Sequence, residues 1–151
     1  MTDVEAYVAR EGRDEQIKQV REKIDELDID YIYYQYISIT GRIMGKSVSA
    51  RHWENVAKEG IQCWYGGVTN VFADRSGALI GFPSNASELL GIPDPETFCQ
   101  LPWNKRMGRV YCTVFRNREE SENPGAFLDD DSRGNLRRIH EQFKQDHDGL
   151  H

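Results

Sequence analysis

The sequence predicts an α+β fold, a small mixed sheet with helices on one side. Three observations lead there: an amphipathic helical period over residues 14–27, a switch at Ile29 to β-branched and aromatic residues, and a turn that sends the chain back as a hairpin. A chain of 151 residues is the length of one ordinary domain, and folding would hide roughly 70% of the surface its extended form exposes. With 38% hydrophobic and 29% charged residues it belongs to the globular class.

The first long helix follows from Ile17, Val20, Ile24 and Leu27, which recur at spacings of three and four and place one apolar stripe against a core. A shorter helical piece over 4–10 precedes it, with Gly12 as the break. Tyr31, Tyr33, Tyr34 and Tyr36 among isoleucines give a strand over 29–39 that reads as covered on both faces. Thr40-Gly41-Arg42 supplies the turn, and residues 43–50 return. A helix over 50–59 then buries Trp53, Val56 and Ala57 and stops at Gly60.

Beyond Gly60, residues 61–65 and 68–73 read as extended segments either side of a flexible Gly66-Gly67 loop, and Asp74-Arg75-Ser76-Gly77 is a turn. Four of the five prolines fall in 81–103, so that stretch reads as irregular, with one helical turn over 86–90. Residues 109–115 form a further strand and 117–131 an acidic linker. Ser132 then caps a last helix whose Leu136, Ile139 and Phe143 make an apolar stripe that needs something to pack on.

Charge and composition exclude several functions. A net charge of −6 leaves no electrostatic footprint for nucleic acid or an anionic membrane. The first ten residues carry acids and no apolar run, and no stretch approaches membrane-spanning length, so a cytoplasmic protein is expected. Cys63, Cys99 and Cys112 are odd in number and widely spaced, which fits reduced, mostly buried thiols better than disulfides or a zinc site. Redox sensing would rest on Cys63 alone.

No self-contained catalytic constellation is visible, and the metal reading of His140, His147 and His151 is rejected because no cysteine or acid stands at ligand spacing. Asp129-Asp130-Asp131 reads as capping, since carboxylates are favoured just before a helix start. Gly66-Gly67, flanked by Trp64 and Tyr65, reads either as part of a binding surface or as a turn with two core aromatics.

Four stretches, taken in order, resemble the N-terminal part of the glutamine synthetase family. They are Tyr36-Ile37-Ser38-Ile39-Thr40-Gly41-Arg42-Ile43-Met44-Gly45-Lys46; Glu59-Gly60-Ile61-Gln62-Cys63-Trp64-Tyr65-Gly66-Gly67; Asn85-Ala86-Ser87-Glu88-Leu89-Leu90-Gly91-Ile92-Pro93-Asp94-Pro95-Glu96-Thr97; and Asp131-Ser132-Arg133-Gly134-Asn135-Leu136. The third is similar to the family's Ser-Asp-x-x-x-x-Pro-Asp-x-x-Thr pattern. The fourth looks like the Asp-Pro-Arg-x-x-Leu that opens its catalytic domain, with Ser132 in place of proline.

The resemblance implies a β-grasp fold and three parts: an N-terminal helical segment (1–28), the β-grasp domain (29–116), and a linker with the opening helix of a truncated catalytic domain (117–151). It implies an ATP-dependent carboxylate–amine ligase whose ATP and magnesium or manganese are held by a larger C-terminal domain. On that basis this chain carries no catalytic, cofactor or metal residues and is inactive alone. Its partners would be adjacent catalytic domains of the same protein in a ring-shaped homo-oligomer.

Ammonia-using members resemble one another in an Asp-Gly-Ser-Ser loop whose carboxylate helps bind ammonium in the neighbouring subunit. Here Trp64, Tyr65, Gly66 and Gly67 fall at that place, and Ser38 replaces a frequent aspartate of the hairpin. The resemblance therefore implies an amine pocket, contributed in trans by these four residues, that suits an organic amine better than ammonia. The rival expectation is a free-standing β-grasp interaction module with no chemistry.

Overall fold

The computed structural model describes residues 1–69, 72–80 and 86–147. Two helices open the chain, α1 (Asp3–Val8) and α2 (Arg13–Glu26), separated by Gly12 at φ 80°. Thr2 and Glu5 close a reciprocal capping box on α1. On α2, Ile17, Val20 and Ile24 are buried as their spacing requires, while Leu27 ends up exposed.

Strands β1 (Tyr31–Ile37) and β2 (Ile43–Ser49) form the antiparallel hairpin. Ile32, Tyr34 and Tyr36 face the core, but Tyr31 is exposed and Tyr33, Gln35 and Ile37 are half-buried, so β1 is fully covered on one face rather than on both. A 3-10 turn (Ala50–His52) leads into α3 (Trp53–Glu59), whose Trp53 is fully buried and donates its indole N–H to the Ile17 carbonyl at 2.9 Å. Arg21 fastens α2 to α3 through two 2.6 Å hydrogen bonds to Glu54. Gly60 ends α3 at φ 85°, a conformation other residues rarely adopt.

The next segment departs from expectation. After β3 (Ile61–Cys63) comes a short helix, α4 (Tyr65–Thr69), in place of a flexible loop and a strand. Within 68–73, Phe72–Ala73 form β4, which pairs with β5 (Leu79–Ile80) in a separate two-stranded sheet. The Asp74 turn joins them, with Asp74 Oδ1 accepting from Ser76 N and Ala78 N.

The proline-rich stretch also contains what its composition argued against. β6 (Leu89–Pro93) is buried along its whole length where one helical turn was expected, and a 3-10 turn (Pro95–Thr97) and β7 (Cys99–Leu101) follow. Pro93 is tolerated because it is the last residue of its strand, opposite Cys112. β8 (Asn104–Phe115) is the longest strand and organises the sheet: its middle pairs in parallel with β1, and its two ends pair antiparallel with β7 and β6. The order β2-β1-β8-β6-β3, with β7 also on β8, makes a mixed six-stranded sheet. A hairpin, a helix and a late strand running parallel to the first is the β-grasp arrangement that the resemblance implied.

The sheet buries both faces at the β6–β8 end, which corrects the expectation of helices on one side. Val110, Cys112 and Val114 enter the main core with Ile17, Val20 and Trp53. Leu90, Ile92 and Phe115 point the other way, against Val4 of α1 and Phe127, so α1 covers the opposite face. Cys63 and Cys112 are buried, Cys99 is exposed, and all three thiols are free. No helix among the described residues is long and apolar enough to cross a membrane.

The last helix, α5 (Ser132–Asp146), contradicts its apolar stripe. Leu136, Ile139 and Phe143 are 70%, 65% and 49% exposed, and its contact with the rest of the chain runs instead through Arg133, Gly134 and Arg137. Asp131, not Ser132, stands at the N-cap, and it makes no side-chain cap bond. Its Oδ2 accepts from Val114 N at 2.9 Å.

Candidate functional site

Two places in the fold bring together residues that are distant in sequence. The first joins the hairpin turn to α4. Ile39 N donates to the Val68 carbonyl at 2.9 Å, and Ser38 is wholly buried, its Oγ accepting from Arg42 N at 3.2 Å. Ser38 therefore puts a small neutral acceptor at a place where a carboxylate would need a buried counter-charge.

The four candidate pocket residues lie together beside this turn. Trp64 is 60% exposed, and its indole lies across Gly66, where an added Cβ would sit 2.6 Å from Cζ2. A Cβ on Gly67 would sit 2.8 Å from the Tyr36 hydroxyl. Both glycines are buried, so the pair acts as close-packed small residues and not as the mobile loop that the sequence suggested. Burial pushes Tyr36 up to about 12, keeping its hydroxyl protonated. Tyr65 is half-buried and shifted upward, first by desolvation and then by the charge of Asp130. Trp64 thus presents the exposed apolar surface, with its ring lying against Gly66 and Gly67.

The second place surrounds Asp94, which sequence reasoning quoted in a motif but did not single out. Its side chain is 2% exposed and meets Arg10 at 3.3 Å, Arg133 at 3.0 Å and Arg137. Burial pushes this carboxyl up, but the Arg133 hydrogen bond and the charges of Arg137, Arg133 and Arg10 outweigh it and hold Asp94 below its ordinary value. Beside it Arg13, 1% exposed, donates to the carbonyls of Ala57 and Pro93 at 2.8 and 2.9 Å. The signal for this site was an aspartate between two prolines: Pro93 ends the strand and Pro95 opens the 3-10 turn, fixing the carboxylate between them.

Among the described residues no group of three or more His, Cys, Asp or Glu is placed to hold a metal ion. His140 lies along a groove of about 680 Å³ with Asp94, Arg133 and Lys144, and His147 stacks on Phe143 with centroids 4.4 Å apart. His151 and Asn85 lie outside the described residues.

The fold and its contacts define a β-grasp domain joined through Asp94 to a following helix. No protein-family model matches the sequence, and no curated protein sequence matches it. Among solved structures, a GmaS–ADP complex superposes on 83% of this chain with a TM-score of 0.62 and 21% identity, using 25% of the GmaS chain. A GmaS structure without ligand matches 67% of this chain at 27% identity and a TM-score of 0.46, over 21% of its own length. The first likeness establishes a shared fold, and this chain spans a quarter of the length of that GmaS chain.

Proposed function

We propose that this chain is the N-terminal β-grasp domain, with the opening helix of the catalytic domain, of an ATP-dependent ligase of the glutamine synthetase family. The ligase joins the γ-carboxylate of glutamate, or of a similar acid, to ammonia or, in preference, to an organic amine. The observation that carries this reading is the 3.0 Å ion pair between Asp94 and Arg133. It joins the third and fourth motifs across a separation of 39 residues, as expected if β-grasp domain and helix evolved as one unit.

In this reading ATP activates the carboxylate in the catalytic domain, with magnesium or manganese on its phosphates. The residues of this chain shape the place where the amine waits. Trp64 offers an apolar wall without a carboxylate, which favours an amine carrying an apolar group over a small, strongly hydrated ammonium ion. The wall faces the catalytic domain of an adjacent subunit in a cytoplasmic ring, so the isolated chain is inactive.

The test is ADP release from ATP and glutamate with a panel of amines. It is run on the 151-residue chain and on the protein translated from the whole reading frame containing it. Amine-dependent turnover by the whole protein and none by the chain alone is the expected result. Turnover by the chain alone, or none by the whole protein, contradicts it. One observation favours a second reading, an interaction module without catalysis: β2 lies at the end of the sheet order, with an edge on which a partner strand could add. That reading gains if the whole reading frame supports no turnover.

A further inference from the structure

Five guanidinium groups converge beside α5 in a chain whose net charge is −6. The Arg10 and Arg13 guanidinium groups lie 4.8 and 5.4 Å from the centroid of the Tyr7 ring. Arg133 and Arg137 reach Asp94, and Arg138 lies over the Phe127 ring at 4.3 Å. The acids in reach are Asp94, Glu141, which pairs with Arg137 at 3.1 Å, and the buried Asp131. Positive charge is therefore in excess in a partly buried place, where an unmatched cation is costly.

The donors are also in excess. Arg138 Nη1, Arg133 Nη1 and Arg13 Nε and Nη1 are buried without a hydrogen-bond partner among the described residues. Arg10, Arg137 and Arg138, the last with its unpartnered Nη1, line one cavity of about 200 Å³ between α1, β8 and α5, together with the Tyr7 and Phe127 rings, Thr113 and Glu141, whose carboxylate is taken up by Arg137. Thr113 Oγ1 and the Tyr7 hydroxyl, 3.3 Å apart, add neutral polar groups to its wall. Gly134 keeps the cavity open, since a Cβ there would run into Asp131 and come within 3.2 Å of Arg138 Nη1.

We infer that this cavity binds a compact organic dianion, a short dicarboxylate, with one carboxylate on the unpartnered Nη1 of Arg138, the other taking the place of Glu141 on Arg137, and its carbon chain against Tyr7 and Phe127. Planar guanidinium forks match carboxylates in pairs, and two aromatic rings favour a short hydrocarbon spacer over a bare inorganic anion. Such a site would serve a ligase domain and an interaction module alike, as a place where a small acid fixes α5 on the sheet.

The experiment titrates the 151-residue chain with malonate, succinate and inorganic phosphate, at ionic strength held constant with sodium chloride. Calorimetry and the arginine side-chain N–H resonances report binding. At least one dicarboxylate should bind, shift the Arg137 and Arg138 signals, and bind more tightly than phosphate. Arg138→Gln should weaken it by about tenfold or more, Arg138→Lys by less, and Arg106→Gln, on an exposed arginine paired elsewhere, not at all. Dicarboxylates that do no more than chloride, phosphate that binds more tightly than either, or an Arg138→Gln chain that binds like the parent would each overturn the assignment.

Discussion

The Asp94 junction and the Trp64 turn are built from opposite materials. At Asp94 a buried carboxylate is held by three arginines, one from the link between α1 and α2 and two from α5, so its charge is met within the fold and little of it meets solvent. At Trp64 the packing is tight underneath, with glycines against Tyr36 and the indole, while the largest apolar side chain faces outward. A buried, paired group is used up by the fold, whereas an exposed apolar group held rigidly from below is available to something else. The contrast separates the joint of this domain from its exposed apolar surface.

The largest effect that tests this contrast is loss of the joint. Asp94→Ala leaves Arg10, Arg133 and Arg137 without their shared carboxylate and should cost about 3–5 kcal/mol in urea unfolding. A loss under about 1 kcal/mol would mean that the arginines find other partners. Next is Gly67→Leu, which forces a branched side chain against the Tyr36 hydroxyl and should cost about 1–3 kcal/mol, with the Trp64 fluorescence changing in parallel.

Acid titration gives a smaller effect with two signs. Asp94 has a folded value below its ordinary 3.8, so its stabilisation is present above that value and is lost as the pH falls through the folded one. Asp131 is raised, chiefly by burial and against the hydrogen bond from Val114 N, so its contribution is present below 3.8 and is lost as the pH rises through its folded value. Urea midpoints between pH 3 and 7 should therefore rise slightly on acidification from neutral before they fall. Asp131→Asn should remove the rise and keep the fall. The smallest effect belongs to the outer face of α5: Ile139→Glu should change stability by no more than about 0.5 kcal/mol and should lower any self-association of the chain.

Much of this architecture was legible in the sequence where periodicity is strong. Ile17, Val20 and Ile24 gave α2, the tyrosines of β1 gave the hairpin, and Trp53 with Val56 gave α3. β6 was not legible because a strand buried on both faces has no alternation, and Leu89-Leu90-Gly91-Ile92-Pro93 carries a glycine and a proline that argue for a loop. Gly66-Gly67 misled in the opposite way: the pair signals flexibility in isolation, and only the positions of Tyr36 and Trp64 show that small size is what the place requires. The α5 stripe was read correctly as apolar, but periodicity cannot say whether its cover lies within these residues. Trp64 could be nominated from sequence, whereas the arginine cluster could not, because its members come from two stretches, 10–13 and 133–138, at opposite ends of the chain.

The measurement that bears most directly on the account is the ratio of kcat/KM for ammonia to that for methylamine and larger amines, in the whole protein and in its Trp64→Asp variant. If Trp64 walls an amine pocket, the parent favours the larger amines and the variant shifts the ratio towards ammonia by about tenfold or more. A ratio that stays the same in the variant would contradict that role.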